Sequence, residues 1–293
     1  MELGIFAKTF SRPTLEETLD DVLRHGLRTV QFNLACAGLP SLPAAIEPQL
    51  AERIRMAHDT RGIRMCAVSG TFNMIDPDMS RRREGLRRLD VLANTCARLG
   101  TQVITLCTGT RDPLDMWRGH PENATPEAWR DLTASLEQAL ATAERYDVTL
   151  AIEPEPANVV DSALTARRLL DELRAPRLKL VIDAANLIHG HAIAEMLAIL
   201  NQAFALVGDA IVIAHAKDVT SGAGAPVRWA AAGRGTLDYD HYLSLLRRAG
   251  FDGPLVLHSL SPAEVDDSVR FLEQKLARLD NGTIQCMESR RAL

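Results

Sequence analysis

Short apolar segments rich in valine, isoleucine and leucine alternate along the chain with longer amphipathic segments. The apolar segments have the pattern of strands that are buried on both faces. Eight are predicted: Leu3–Phe10, Thr29–Ala35, Arg64–Thr71, Gln102–Thr108, Thr149–Glu153, Leu178–Asp183, Ile211–Ala216 and Pro254–Ser259. An amphipathic segment follows each of them, and these segments predict eight helices: Leu15–His25, Pro48–Arg61, Arg81–Leu99, Pro126–Tyr146, Ser162–Leu173, Ala192–Val207, Tyr239–Ala249 and Pro262–Leu279.

Local signals mark where several of these helices begin and end. Thr125 and Pro126 place an N-cap before a first-turn proline. A glycine follows four of the helices, as expected of left-handed C-caps: Gly26, Gly62, Gly100 and Gly250. Each glycine leads within a few residues into the next strand, so the chain repeats a strand–helix unit.

Eight such units without a break in composition predict an α/β fold, a single (β/α)8 TIM barrel. The domain is expected to cover residues 1–293, with a C-terminal tail from about residue 280. The alternative is an open doubly wound sheet, but such a sheet normally has fewer strands, and no glycine-rich phosphate loop follows the first strand here.

The two longest connections, Gly109–Thr125 and Thr220–Leu237, would lie on the catalytic face of a barrel. Trp117, His120 and Trp229 lie in these loops. Two interpretations stay open, because the aromatic side chains can either wall a pocket or pin long loops to the barrel.

The composition is that of a soluble globular protein, with 46% hydrophobic and 24% charged residues. A run of arginines at positions 81–88 is interspersed with Glu84 and followed by Asp90, so we expect a solvated helix face there. The net charge of −5 opposes a polyanionic partner, and no nucleic-acid binding is predicted.

The five cysteines include no CxxC pair and no pattern of a secreted disulfide framework. The first residues have no basic region followed by a long apolar run, and we expect no stretch of about 18 apolar residues that could span a membrane. We therefore expect a cytoplasmic protein without a membrane partner.

Four potential metal ligands end the last four predicted strands: Glu153, Asp183, His215 and His258. They are separated by 30, 32 and 43 residues, each roughly one strand plus one helix. The carboxyl ends of parallel barrel strands meet at one face, so these side chains are expected to converge. Carboxylates and imidazoles together suit a divalent metal, although each residue alone has an ordinary structural explanation.

The motifs around these residues carry a family resemblance. IEPEP at Glu153, VIDAANL at Asp183 and AHAKD at His215 resemble the xylose isomerase-like TIM-barrel superfamily, which contains the sugar phosphate isomerase/epimerase family. AAGRGTLDY and FDGPLVL, which precede the last strand, also match. The resemblance extends over nearly the whole chain, and it rests on the order and spacing of the motifs.

The resemblance implies one divalent metal ion held by Glu153, Asp183, His215 and a fourth residue that is a glutamate in the family. The fourth position here is His258. Three roles are open for it: a metal ligand, the second acid–base group, or a remnant of a lost activity. A site with two carboxylates and two imidazoles would favour Mn, Fe, Co or Zn, with Mg less favoured.

The resemblance further implies an isomerase or epimerase of a small sugar or sugar-like polyol. Such an enzyme transfers a proton through a metal-stabilised enediolate. Glu153 is the expected base and His258 the expected partner. Lys217 shares the strand face of His215, so it is expected either to contact a substrate oxygen or to pair with Glu153 or Asp183.

Further polar residues lie on the same rim and are predicted to contact the substrate: Glu155, Asn158, Asn186, His189 and Arg234, with Lys8 and Asn73 as weaker candidates. Arg234 lies between two glycines in a region where barrel enzymes often bind phosphate. The sequence leaves open whether the substrate is phosphorylated.

Three other functions are considered. One is a dehydratase of a keto-sugar or inosose, and another is a non-catalytic sugar-binding barrel. A DNA-repair endonuclease needs three zinc ions, and the second to fourth strands end in QFN, SGT and CTG, which offer no histidine. The resemblance also makes a homo-oligomer possible.

Overall fold

The computed structural model describes residues 1–188, 193–220 and 227–291, with side chains as far as residue 279. Within these ranges, eight parallel strands close into a barrel. In chain order they are β1 (Glu2–Phe6), β2 (Thr29–Phe32), β3 (Arg64–Ser69), β4 (Val103–Leu106), β5 (Thr149–Ile152), β6 (Leu178–Asp183), β7 (Ile211–Thr220) and, after the hairpin strand β8 (Arg228–Ala231), β9 (Pro254–Leu257). The predicted TIM barrel is confirmed.

Neighbouring strands in the barrel follow the order of the chain. Strand β6 pairs with β7, β7 with β9, and β9 with β1, and these pairings complete the ring. The surrounding helices are α1 (Leu15–Arg24), α2 (Pro48–Asp59), α3 (Met79–Leu99), α4 (Pro126–Tyr146), α5 (Ala163–Leu173), α6 (Ala184–Ile188), α7 (Met196–Val207), α8 (Tyr239–Arg248) and α9 (Val265–Arg291).

The predicted start and stop signals act as expected. The Thr125 hydroxyl accepts a hydrogen bond from the backbone N–H of Ala128, which caps α4. Gly26, Gly62, Gly100 and Gly250 all have positive φ angles, between 60° and 88°. These angles lie in the left-handed region that glycine adopts without steric cost, so the glycines end their helices where predicted.

Several boundaries differ from the prediction. The first strand ends at Phe6, because the chain turns into a 3-10 helix at Ala7–Thr9. The sixth helix was predicted from Ala192, which lies outside the described residues, and α7 begins at Met196. The last helix was predicted to end at Leu279, whereas the backbone of α9 continues to Arg291. The C-terminal tail expected from about residue 280 stays a prediction.

The hairpin strand β8 was not predicted. It pairs antiparallel with the outer end of β7, with Lys217 opposite Ala231 and Val219 opposite Trp229. Strand β7 is consequently ten residues long and projects beyond the barrel rim. The pairing places Trp229 diagonally across from Lys217 on one face of the ribbon.

One helical segment, Ile193–Ala210, is long and apolar enough by length and composition to cross a membrane, with a mean hydropathy of 1.3. The sequence pattern had predicted no such stretch. The segment contains α7, and its residues Leu200 and Val207 are fully buried in the protein core. Burial of this kind is what the core helix of a barrel requires.

The barrel interior has its own small apolar cluster beneath the carboxyl ends of the strands. It includes Ala151, Val181, Ile213 and Val256. Each of these residues lies two positions before one of the four candidate metal ligands, and side chains two apart on a strand point to the same face. The strands therefore direct all four ligand candidates into the barrel mouth.

Candidate active site

Three of the predicted metal ligands meet at the carboxyl ends of β5, β6 and β7. The Nδ1 atom of His215 lies 3.0 Å from Oε1 of Glu153 and 3.7 Å from Oδ2 of Asp183. All three side chains are buried. The sequence-based prediction that these strand ends converge agrees with this geometry.

The hydrogen bonds of the two Asp183 carboxylate oxygens indicate whether a cation fits among these residues. Its Oδ1 atom accepts hydrogen bonds from the backbone N–H groups of Ala185 and Asn186, at 2.9 and 3.2 Å. Its Oδ2 atom is buried and accepts no hydrogen bond from any described residue. The Lys217 ammonium, 3.5 Å from Oδ2, offsets part of the cost of this buried charge, and a metal ion could supply the direct contact that Oδ2 lacks. The donor set of two carboxylates and one imidazole therefore fits a divalent cation.

Gln31 on β2 holds the other side of the His215 ring. Its Oε1 atom lies 2.9 Å from Nε2 of His215, and its Nε2 donates to Oγ1 of Thr105 at 3.3 Å. When Nε2 of His215 carries the proton toward Gln31, the lone pair of Nδ1 faces the two carboxylates. The role of Gln31 was not predicted from the sequence, although a polar residue inside the apolar segment TVQF indicated a position of special function.

Lys217 and Asn186 form a second layer around the carboxylates. The Nζ atom of Lys217 donates to Oδ1 of Asn186 at 2.6 Å and lies 3.5 Å from Oδ2 of Asp183. Asn186 in turn donates to Oε1 of Glu153 at 3.1 Å. Lys217 also lies 4.0 Å from the ring centroid of Trp229, a cation–π contact. The predicted ion pair of Lys217 is thus present with Asp183.

His258 lies beside this group, with its ring stacked on two aromatic neighbours. Its centroid is 4.6 Å from that of His215, and the planes differ by 6°. Phe6 stacks on it with centroids 5.3 Å apart. Its Nδ1 atom is 2.8 Å from Oγ of Ser259.

The charges around the two histidines shift their pKa values in opposite directions. Burial lowers the pKa of His215, but the negative charges of Glu153 and Asp183 outweigh burial and raise that pKa to about 10. Burial and the nearby His215 charge lower the pKa of His258 to about 4. Among the protein groups alone, His215 is therefore the cation and His258 is neutral.

The pKa values of the buried carboxyl groups are also shifted in opposite directions. Burial opposes ionisation of Glu153 and Asp183, yet the charge of His215 lowers the pKa of Glu153, and the charges of Lys217 and His215 lower that of Asp183. Burial and the charge of Glu153 raise the pKa of Glu155 to about 8. Glu155, Glu153 and Cys107 also bring potential ligand atoms within 4.8 Å of one another.

A cavity of about 980 Å³ opens above these residues. Its lining includes both the polar strand ends and the long loops: Phe6, Lys8, Gln31, Ser69, Thr105, Cys107, Met116, Trp117, Arg118, Glu153, Glu155, Lys217, Trp229, His258 and Ser259 among others. Trp117 and Trp229 line this cavity, which favours the interpretation that they wall a pocket, whereas His120 does not line it.

Two of the remaining predicted substrate contacts, Asn158 and Arg234, do not line the cavity. Asn158 is buried; its Oδ1 accepts from the backbone N–H of Gly109 at 2.7 Å, and its Nδ2 donates to the carbonyl of Met116 at 3.4 Å. Asn158 thus supports the loop that carries Trp117. Arg234 pairs with Asp267 at the surface and does not line the cavity. His189 lies outside the described residues.

The two glycines of the AAGRGTLDY segment donate hydrogen bonds to the side chain of Asp218. Its Oδ2 atom accepts hydrogen bonds from the backbone N–H groups of Gly233 and Gly235, both at 3.0 Å, and its Oδ1 accepts from Leu237 at 2.9 Å. A Cβ atom at Gly235 would lie 2.2 Å from the carbonyl oxygen of Val219. The glycine amides therefore bind a carboxylate of the chain, and the glycine at 235 is required for close packing.

Structural comparisons find the same barrel in two sugar epimerases and in a zinc-binding protein. L-ribulose 3-epimerase has a TM-score of 0.74 and 16% identity, covering 97% of each chain. The E. coli 3-keto-D-glucoside 4-epimerase has a TM-score of 0.69 and 17% identity, covering 94% of this chain and 99% of its own. The zinc-containing IolI protein has a TM-score of 0.71 and 18% identity, covering 95% and 97%.

Sequence comparison gives the family directly. No curated protein matches the chain at a significant level. The sequence profile described as xylose isomerase-like TIM barrel matches residues 19–275, which include β2 to β9 and all four candidate ligands. The chain therefore belongs to the xylose isomerase-like TIM barrel family.

Proposed function

We propose that the protein is a divalent-metal-dependent isomerase or epimerase of a small sugar or sugar-like polyol. The observation that carries the proposal is the meeting of Glu153, Asp183 and His215 below an open cavity, with a buried carboxylate oxygen of Asp183 that lacks a donor among the described residues. A small substrate can enter this cavity and reach all three groups.

A bound divalent cation would polarise a substrate carbonyl and stabilise negative charge on its oxygen. Two carboxylates and one imidazole suit Mn, Fe, Co or Zn, and Mg, which prefers oxygen ligands, is less favoured. Zinc in the IolI protein, which has the same fold, is consistent with this choice.

Glu153 is the proposed base that removes a proton from the substrate carbon. Without a metal the charge of His215 outweighs burial and lowers the pKa of the Glu153 carboxyl, and a bound cation would favour the ionised form in the same way. Asn186 donates to its Oε1 atom and fixes its orientation. A buried, oriented and ionised carboxylate that lines the cavity has the properties that general-base catalysis requires.

His258 and Lys217 are the proposed partners of Glu153. His258 lines the cavity as a neutral imidazole. Its lowered pKa makes it a weak base but, once protonated, a strong acid that returns the proton readily. Lys217 also lines the cavity, and its ammonium is fixed by Asn186 and Trp229. It can therefore stabilise negative charge on a substrate oxygen without moving.

The sugar substrate class is supported by the structural relatives, which are named as epimerases of ribulose, of a keto-glucoside and of related sugars. Glu155 lines the same cavity and is the next candidate to contact hydroxyl groups. A cytoplasmic location, a homo-oligomer and the absence of nucleic-acid and membrane partners stay predictions.

A dehydratase of a keto-sugar is the second candidate. The specific observation in its favour is the imidazole of His258 at the position where the family's isomerases have a second glutamate. With one acid–base carboxylate replaced, Glu153 can remove the proton from one carbon and pass it to the neighbouring hydroxyl, which leaves as water. A non-catalytic sugar-binding barrel is the outcome if neither reaction occurs.

Solvent-deuterium exchange tests the proposal. The full-length protein, loaded with Mn²⁺, Co²⁺ or Zn²⁺, is incubated in D₂O with a panel of ketoses and inososes, and deuterium at carbon is followed by NMR. Incorporation with retention of the hydroxyls supports an isomerase or epimerase. Loss of water indicates the dehydratase. Neither result with any sugar, in protein shown to contain metal, would reject the catalytic proposal.

A further inference from the structure

We infer that the metal centre of this chain has three protein ligands, Glu153, Asp183 and His215, and that His258 is a wall of the substrate cavity instead of a fourth ligand. The inference rests on the proposed function only in requiring a metal at this site. It concerns the position where this chain departs from the glutamate expected of its family.

Distance alone would allow His258 to share a cation. Potential ligand atoms of Asp183, His215 and His258 lie within 4.8 Å of one another. The orientation of the two rings, however, prevents His258 from sharing the cation. The two imidazole planes differ by only 6°, and their centroids are 4.6 Å apart. Rings lying side by side in one plane would need a larger separation, so these two rings overlap face to face.

Two stacked parallel planes have no point in common, and this prevents joint ligation. An imidazole nitrogen binds a metal through a lone pair that lies in the plane of its ring, at about 2.0–2.1 Å. Stacked rings stand about 3.5 Å apart. A metal in the plane of His215 is therefore far above the plane of His258. We infer that His215 is the ring that binds the metal, because the carboxylates of Glu153 and Asp183 face its Nδ1 atom.

The surroundings of His258 hold its ring in this orientation. Phe6 stacks on it at 5.3 Å, so the imidazole lies between two aromatic rings. Ser259 has a φ angle of 57°, in the left-handed region, and its hydroxyl is 2.8 Å from Nδ1 of His258. A non-glycine residue in that region costs energy and is typically maintained where it aims a functional group. Rotation toward the metal would break these contacts.

A centre with three protein ligands leaves positions for the substrate. Catalytic metal sites commonly keep such open positions, whereas structural sites are closed by protein. Adjacent carbonyl and hydroxyl oxygens of a sugar can occupy them. His258, which lines the cavity at this point, would then contact the substrate as a group that is independent of the metal.

Counting the imidazoles on the metal tests the inference without any turnover. The full-length protein is loaded with one equivalent of Zn²⁺, and X-ray absorption at the zinc edge gives the number of imidazole ligands. We expect one in the unaltered protein. In His258→Phe, which preserves an aromatic ring between Phe6 and His215, we expect the same count and a zinc Kd within about threefold of the original. In His215→Ala, we expect affinity to fall by at least about 100-fold.

Two controls complete the experiment. His241→Phe alters an exposed histidine on α8 that contacts Asn201, and it should change nothing. His258→Gln, which is not aromatic, provides a second variant if the phenylalanine variant does not fold, as judged by circular dichroism. Two imidazoles in the unaltered protein, or loss of zinc from both folded His258 variants, would overturn the inference. Three-ligand binding without deuterium exchange in any sugar would reject the proposed function and leave this inference standing.

Discussion

Two arcs of the barrel mouth differ in the chemistry of their side chains. The arc formed by β5, β6 and β7 presents Glu153, Asp183 and His215, which are charged and lie close together. The arc formed by β2, β3 and β4 presents neutral groups at the same depth. They are Gln31, Ser69, Thr105 and Cys107, and all of them line the cavity.

The neutral arc nevertheless acts on the charged one. Gln31 binds Nε2 of His215, Thr105 accepts from Gln31, and Thr105 donates to Ser69 at 3.5 Å. The chain of hydrogen bonds crosses the barrel from β3 to β7. One arc therefore supplies the proposed ligands and the proposed base, while the other holds the orientation of the His215 ring.

The neutral arc also bears on the endonuclease alternative. A site for three zinc ions needs histidines or carboxylates on both arcs, whereas among the described residues of the second arc only Cys107 joins a group of potential ligand atoms, with Glu153 and Glu155. Burial and the charges of Glu153 and Glu155 raise the pKa of that thiol well above its usual range, so it stays protonated. The exclusion of a nucleic-acid substrate stays a prediction.

The largest effect is expected from Glu153→Gln in the charged arc. Removal of the proposed base should slow proton exchange by about 10²–10⁴-fold. The measurement is deuterium incorporation per bound metal, since the metal content must be determined in the same sample. Glu155→Gln is the matched control, two residues further along the chain, and should lose much less. Equal losses in both variants would contradict the assignment of the base.

Gln31→Leu comes next and tests the link between the arcs. Loss of the acceptor at Nε2 of His215 should weaken metal binding by about 10–100-fold, the range found for groups that orient metal-bound histidines. Competition with a chelator gives the Kd. Gln138→Leu, on the exposed face of α4, is the control. If Gln31→Leu binds metal as tightly as the control, the neutral arc has no influence on the ligand.

The charged arc could be predicted from the sequence and the neutral arc could not. Glu153, Asp183 and His215 each end an apolar segment at a regular spacing, and alternation along a strand dictates that they face the same way. Gln31 lies inside a strand, and only the closed barrel brings it beside a residue 184 positions away. The stacked orientation of His258 likewise depends on contacts with Phe6 and Ser259 that no local pattern encodes.

Metal addition should raise thermal stability through the charged arc. A ligand that binds only the folded state at 100 times its Kd adds about 2.7 kcal/mol to the free energy of unfolding. The Tm of the metal-free protein should therefore rise on addition of Zn²⁺ or Co²⁺. The shift should disappear in Asp183→Asn, which weakens the oxygen that lacks a donor among the described residues. An equal shift in this variant would place the metal elsewhere.

Thr105→Val should have the smallest effect, because it acts on the metal only through Gln31. The hydrogen bond that it removes is 3.3 Å long, and a bond between neutral groups contributes about 0.5–1.5 kcal/mol. Metal affinity should therefore fall by at most about tenfold, since 1.4 kcal/mol corresponds to a factor of ten. The same change in a Gln31→Leu background should have no further effect on the Kd, because the group that Thr105 orients is already gone. Additive losses in the double variant would show that Thr105 acts on the metal by another route, and the chain of hydrogen bonds across the barrel would no longer explain how the two arcs cooperate.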